Sequence, residues 1–239
     1  MIYEIEKKIL NYYVHLQNLP ESTIAKQALK ISESFPSSTP SLLRSINELR
    51  NKYSLPNTTE QFSTYVKKSM KNIKNKMLNN YIGEWIKKVN NSSKLKFYNS
   101  IKHNYLQETY IDHIKNPKHR QILSKFRLSN HTLEIETGRY NNPPVPAEKR
   151  TCLLCENSEI EDENHFLLYC KTFSLERKSF YDKILKTDPA FIGKTDSEKI
   201  THLFETNDKN IQSVLAKYIY DCFILRTEKR SIKLSTHTL

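Results

Sequence analysis

"CLLCENSEIEDENHFLLYC", residues 152–170, gathers three of the chain's four cysteines and one of its eight histidines into nineteen positions. Cys152, Cys155, His165 and Cys170 form C-x2-C-x9-H-x4-C, three thiols and one imidazole, which is the inventory of a structural zinc site. A two-residue gap lets both thiolates of a tight turn face one ion, while His165 and Cys170 belong to a second element, a helix suggested by "EDENHFLLYC". Five residues on an ideal helix separate side chains by roughly 140°, so Cys170 is expected where that helix ends or unwinds. A cation held by four protein donors has no open position for water, so the site is expected to stabilise structure rather than catalyse. The bland alternative is four unrelated side chains, with His165 exposed and the cysteines merely buried.

Outward from this stretch the chain reads as helices separated by breakers. Ile2, Ile5, Ile9, Tyr12, Tyr13 and Leu16 recur at three and four residues and share one helical face, closed by Pro20. Thr39 is placed to cap, and Pro40 to open, a helix carrying Leu42, Leu43, Ile46 and Leu49. Thr58 and Gln61 have capping-box spacing, and Phe62, Val66, Met70, Ile73, Met77, Tyr81 and Trp85 then follow at helical steps, with a bend allowed near Gly83. Asn116 and Pro117 supply a cap and a first turn for a helix through Ile122, Leu123 and Phe126. "RYNNPPVPAEKR" is the longest turn-rich stretch and the expected boundary. Ile211, Leu215, Tyr218, Ile219, Cys222 and Leu225 line a closing helix, with Cys222 as a small buried hydrophobe. The predicted fold is mainly α: a basic helical region over 1–116, a zinc-binding module with its preceding helix over 117–182, and a C-terminal helical segment over 183–239. Within the module a short hairpin and a helix hold the metal.

The net charge of +12 is unevenly spread. Residues 1–120 carry twenty Lys/Arg against nine Asp/Glu, whereas residues 151–180 carry three against six. Residues 61–107 hold ten lysines and a single acid, Glu84, a pattern suited to a polyanion or to a merely solvated helix face. Lys67, Lys68, Lys71, Lys74, Lys76, Lys87, Lys88, Lys94 and Lys96, with Arg120, Arg127 and Arg139, are therefore the candidate contacts to RNA or DNA. Glu156, Glu159, Glu161, Asp162 and Glu163 crowd between the second and third zinc ligands, where they are expected to repel phosphates or to favour the start of the next helix. No apolar run approaches the length of a bilayer span, and the N-terminus lacks a secretory pattern, so the expectation is an intracellular chain, in nucleus or cytoplasm, without membrane partners.

Few catalytic patterns survive inspection. His131, Glu134 and the C-x-x-C pair superficially suggest a zinc deaminase, but the interval is H-x-x-E and Thr151, not proline, precedes Cys152. With three glycines, no G-x-S-x-G and no phosphate-cradling loop, a hydrolase or nucleotide-binding enzyme is not expected.

"LSKFRLSNHTLEIETGRYNN", followed after a short gap by "RTCLLCENSEIEDENHFLLYC", resembles the C-terminal region of reverse transcriptases from LINE-type non-LTR retrotransposons of invertebrates. The similarity is most specific over 117–182 and looser upstream, through "KKILNYYVHL", "STPSLLRSINELRNKYSL" and "NNYIGEWIKKVNNSSKLKFYNSIK". The resemblance implies zinc ligation by Cys152, Cys155, His165 and Cys170, and draws attention to Phe126, Arg127, His131, Glu136, Thr137, Gly138 and Arg139. For these, Gly138 is expected to permit a turn, Arg139 to pair with Glu136 or bind a phosphate, and His131 to be a hydrogen-bonded structural histidine. A polymerase of that family needs paired palm aspartates, and the chain has no Asp-Asp pair. "KTDPAFIGK" also reverses the Pro-Asp of the endonuclease found in some relatives. The implied function is a non-enzymatic, zinc-stabilised nucleic-acid-binding tail of a retroelement protein, as a genomic fragment or a separate descendant. The alternative is a zinc-held protein-interaction or scaffold module whose partner meets apolar or acidic surface near Phe166, Phe173 and Phe180.

Overall fold

The computed structural model describes all residues except 1, 37, 57–58, 156–157 and 237–239, and the side chains of 2–3, 59–70, 234 and 236. The chain is mostly helical; among the described residues there is no strand, only an isolated antiparallel bridge between Thr151 and Ile160. No helix among them is long and apolar enough to cross a membrane. Two compact units are resolved, residues 1–87 and 88–239, with the dividing point inside one helix.

In the first unit, α1 (Ile2–Gln17), α2 (Ile24–Ser32), α3 (Leu42–Tyr53) and most of α4 (Thr59–Asn90) surround a core of Leu10, Tyr13, Leu16, Leu29, Ile46, Leu49, Tyr53, Ile73 and Met77. The expected apolar face of α1 holds only in part: Tyr13 and Leu16 are inward and Ile9 packs beside them, but Ile5 and Tyr12, assigned to the same face, are exposed, and Leu10, not assigned to it, is buried. The α3 start differs from the expected Thr39–Pro40 entry: Ser41 is the cap, its Oγ accepting from the Arg44 N–H at 3.2 Å. The polar group nearer the first helical turn satisfies an otherwise unpaired donor. The Thr58–Gln61 capping box, and the inward face assigned to Phe62, Val66 and Met70, lie outside the described residues. Lys26, also buried, donates to the Gln17 carbonyl and side chain at 2.8 and 3.0 Å, so its charge does not go unpartnered.

The second unit contains α5 (Lys96–Ile101), α6 (Tyr110–His113), α7 (Pro117–Arg127), α8 (Glu134–Thr137), α9 (Ser174–Ile184), α10 (Asp196–Glu205) and α11 (Lys209–Thr236). Asn116 caps α7 as the sequence suggested, accepting from the Lys118 and His119 N–H groups with Pro117 in the first turn. α11 is the central rod: it packs on α6, α7 and α9. Its stripe of Ile211, Leu215, Tyr218, Ile219 and Cys222 joins one core with Phe97, Phe126, Phe166, Phe173, Phe180 and Phe204. Phe126 and Phe166 lie with ring centroids 5.6 Å apart, and Phe166 stacks on Phe223 at 4.7 Å. One continuous core thus spans the expected boundaries at 116/117 and 182/183, while most of the turn-rich stretch ahead of Cys152 lies exposed outside it.

Three expectations fail against this packing. Phe166, Phe173 and Phe180 are no more than 3% exposed, so they form core and offer no partner surface. Arg127, 3% exposed, donates to the Phe204 carbonyl at 2.8 Å and to Glu108 at 2.9 Å, with its guanidinium over the Tyr110 and Phe204 rings. A cation committed inside the fold in this way cannot reach a phosphate. Gly138 has a helical φ of −62° and is no turn glycine; a Cβ there would meet the Arg150 Cγ and Cδ at 2.8 Å. Close approach, not backbone freedom, requires glycine.

Candidate metal centre

The approach to the metal ligands is a small knuckle. Cys152 N–H donates to the Glu159 carbonyl at 2.8 Å and Glu161 N–H to the Arg150 carbonyl at 2.9 Å, so the two sides of the loop pair and the C-x2-C turn sits at its tip. Ser158 takes the reversing position with φ of 51°. The Leu154 and Cys155 N–H groups are directed at the Cys152 sulfur, donors that favour thiolate.

The second pair of ligands is set by an unusual turn. Asp162 Oδ1 accepts from the His165 N–H at 2.7 Å and starts the helix, which then widens to a π-turn over His165–Tyr169. Cys170 N–H bonds to the His165 carbonyl at 2.8 Å, five residues back, after which the chain leaves helical geometry at ψ of 118°. The wider ring turns position 170 back toward position 165, answering the angular mismatch of the x4 gap. Carbonyls loosened by the widening find other donors: Leu167 accepts from Arg177 Nε at 2.9 Å and the Tyr218 hydroxyl at 3.1 Å, and Cys170 from Arg177 Nη2 at 2.7 Å.

These two devices bring the ligand atoms of Cys152, Cys155, His165 and Cys170 within 4.8 Å of one another, all four residues buried. Cys152 and Cys170 sulfurs are 3.9 Å apart and Cys155 Sγ lies 3.4 Å from His165 Nε2. Tetrahedral zinc, with Zn–S near ~2.3 Å and Zn–N near ~2.0 Å, sets its donors about 3.6 to 3.8 Å apart, a range these two separations bracket. They are far too long for a disulfide, about 2.05 Å, and all four cysteines are free. Cys222, fully buried on α11, stands outside the group, with burial pushing its thiol up to about 12.

The electrostatics also fit a cation. Its contact with Cys170, then burial, pushes the Cys152 thiol up to about 12, while the same contact holds Cys170 below the ordinary thiol range. Burial alone would lower His165, but hydrogen bonding to Cys152 and Glu159 pushes it up to about 9. Taking the protons off these crowded donors therefore calls for positive charge among them, which a divalent ion would supply.

The acidic insert is the largest departure from the sequence reading. Glu159 accepts from His165 Nδ1 at 2.8 Å, which leaves Nε2 for the metal and matches the carboxylate–histidine–metal arrangement of zinc sites. Glu161, 1% exposed, takes both arms of Arg226. Glu163 accepts from Ser129 Oγ at 2.6 Å and His131 Nε2 at 3.0 Å. Since Leu133 N–H donates to His131 Nδ1, both ring nitrogens are engaged and His131 is no further ligand. Of the five acids only Glu156 lies outside the described residues; Glu161 and Glu163 are buried against their partners, Asp162 is half-buried, and Glu159 stays exposed while it holds His165.

Compared with family models, curated proteins and solved structures, the chain matches none.

The basic candidates divide by environment. Lys71, Lys87, Lys88 and Lys96 are exposed and Lys74 and Lys94 half-buried, without ion pairs among the described residues. Lys76 donates to the Tyr53 carbonyl at 2.6 Å. Arg120 donates to the Ile114 carbonyl at 3.0 Å, and Arg139 pairs with Glu136 at 2.8 Å while also reaching Ser93. The side chains of Lys67 and Lys68 lie outside the described residues. Arg226, Arg150 and Arg177 were missed from sequence, although Arg226 carried a signal: it stands four residues after Cys222 on the apolar stripe of α11. A charge at such a position calls for a buried counter-ion.

Proposed function

We propose that the chain is a zinc-stabilised, non-enzymatic nucleic-acid-binding module, akin to the tail of a LINE-type reverse transcriptase. Cys152, Cys155, His165 and Cys170 would hold one zinc ion, whose chemistry there is electrostatic and structural. The observation that carries the metal assignment is the convergence of four buried donors with His165 oriented through Glu159. The four-ligand set leaves no exchangeable position, which favours a fixed cross-link over a hydrolytic centre.

The nucleic-acid assignment rests on charge. Lys71, Lys74, Lys87, Lys88, Lys94 and Lys96 remain available in a stretch where acids are almost absent, and two of the knuckle's carboxylates, Glu161 and Glu163, are hydrogen-bonded inside the fold. Arg127 leaves the contact set because it is buried, and Arg139 keeps at most its outer edge. The protein-interaction alternative loses the apolar surface expected at Phe166, Phe173 and Phe180.

Binding of single-stranded RNA and DNA by the purified protein, measured across a salt series with and without chelator, tests both halves. Log affinity should fall linearly with log salt, by close to one unit of slope per phosphate neutralised, about 0.7 for single strands. Charge reversal at Lys71, Lys87, Lys88 and Lys96 should flatten it. Affinity indifferent to salt would rule out the nucleic-acid assignment.

A further inference from the structure

Beside the knuckle, in the second unit, lies a cavity of about 340 Å³. Its size is at the lower end of small-ligand sites, about 300–1,000 Å³. Phe97, Ile135 and Ile160 give it apolar walls, Lys94 and Lys96 stand along it, and Glu136 lines it from α8. Glu136 is 3% exposed; one carboxylate oxygen accepts from Arg139, and the other, Oε2, has no hydrogen-bond partner among the described residues. A buried acceptor left unpaired is costly, so it marks a place where a donor is wanted.

The remaining charges at the cavity are already engaged. Arg139 is bound to Glu136 and Ser93, Glu163 to Ser129 and His131, and Asp162 Oδ1 to the His165 N–H. What is left is the buried, unpartnered Glu136 Oε2, the other oxygen of the half-buried Asp162, and two lysines without ion pairs among the described residues. The complementary ligand carries a neutral amino donor on a flat, largely apolar body, with an anionic group attached.

We propose that this cavity receives an amino-bearing base, cytosine in the first instance, of a single-stranded nucleic acid, with Glu136 Oε2 accepting from the exocyclic N4 amine. Lys94 and Lys96 take the adjoining phosphates. The proposal rests on the nucleic-acid reading above and deepens it: the lysines supply affinity without sequence information, and Glu136 supplies a preference for one base over another. Carboxylates select cytosine because its N4 amine donates where the uracil O4 accepts.

The test compares fluorescence anisotropy of oligocytidylate and oligouridylate of equal length at fixed moderate salt. Wild type should prefer oligocytidylate by about fivefold or more, at the scale of a single specific base contact. In Glu136→Gln the side-chain oxygen still accepts from Arg139 and the amide N–H turns to the cavity, so the preference should shrink or invert toward oligouridylate. Helicity by circular dichroism monitors folding of that variant. Should it unfold, Ser100→Leu decides: Ser100 is an exposed position on the cavity wall, and occluding it should bring oligocytidylate down to the level of oligouridylate, which itself stays put. Equal, salt-sensitive binding of the two by wild type overturns the base-selective cavity but leaves the nucleic-acid reading intact. A wild-type preference that survives both variants also overturns it. Absence of binding by either oligonucleotide removes both.

Discussion

Arg226, on the last helix, grips Glu161 of the metal knuckle with two hydrogen bonds, Nε to Oε1 at 2.8 Å and Nη2 to Oε2 at 2.6 Å, both side chains at most 3% exposed. Glu161 also accepts from the Glu134 N–H at 2.8 Å and lies 3.8 Å from the Cys152 sulfur. The pair thus couples α11 to a ligand-bearing loop through a charge contact that water does not screen.

Arg226→Met should destabilise the second unit by about 3–5 kcal/mol, because Glu161 is left charged and unpaired in the interior. Combining it with Glu161→Gln should recover much of that loss, since the stranded charge is then gone. Denaturant unfolding of the two single variants and the double variant, read as a cycle, checks this; additive costs would contradict the coupling.

Zinc should bind in one equivalent. Cys170→Ser, or a chelator, should abolish cooperative unfolding of the second unit, given that structural zinc binding in finger peptides is worth about 10–16 kcal/mol. Cys222→Ala should keep the full metal content, because this cysteine is a core residue away from the donors. Native mass spectrometry of the three proteins distinguishes these outcomes.

Zinc uptake should release protons. Cys152, held up to about 12, and His165, pushed up to about 9, bind protons at neutral pH. The metal must displace them, so affinity rises with pH and acidification expels the ion. Competition titrations between about pH 6 and 8 should show log affinity climbing with pH, and calorimetry in buffers of different ionisation enthalpy should count the released protons. A pH-independent affinity would show that the donors are already deprotonated.

Two glycines should respond oppositely to the same substitution. Gly138→Ala forces a methyl into the Arg150 stem, which is fixed by bonds to the Val145 and Ile135 carbonyls at 2.8 and 2.6 Å. The expected cost is about 1–3 kcal/mol. At Gly83, within α4, a Cβ meets nothing within 4 Å, and alanine should stabilise that helix by up to about 1 kcal/mol. Paired thermal melts check both signs.

What the sequence revealed tracks how local the cause is. The grouping of Cys152, Cys155, His165 and Cys170, the Asn116–Pro117 entry and the inward stripe of α11 follow from spacing alone, and each is found where expected. The π-turn was legible only as a demand that the helix unwind before Cys170, since the demand is angular but the solution depends on Arg177 and Tyr218 to take up the released carbonyls. Glu161 and Glu163 were misread as surface charge because their partners are remote in sequence: Glu161 and Arg226 are 65 residues apart, Glu163 and His131 are 32, whereas the helix-starting role of Asp162 is local and was among the expectations. Gly138 was misread because no feature near it announces that Arg150 will lie against it.

The same remoteness imposes a timetable on synthesis. A ribosome delivers the knuckle well before it delivers Arg226, so the nascent loop can fold on itself while Glu161 still lacks a counter-charge. Locking of that loop into the rest of the unit therefore awaits the emergence of α11, and translation stalled within that helix would leave the knuckle loosely docked.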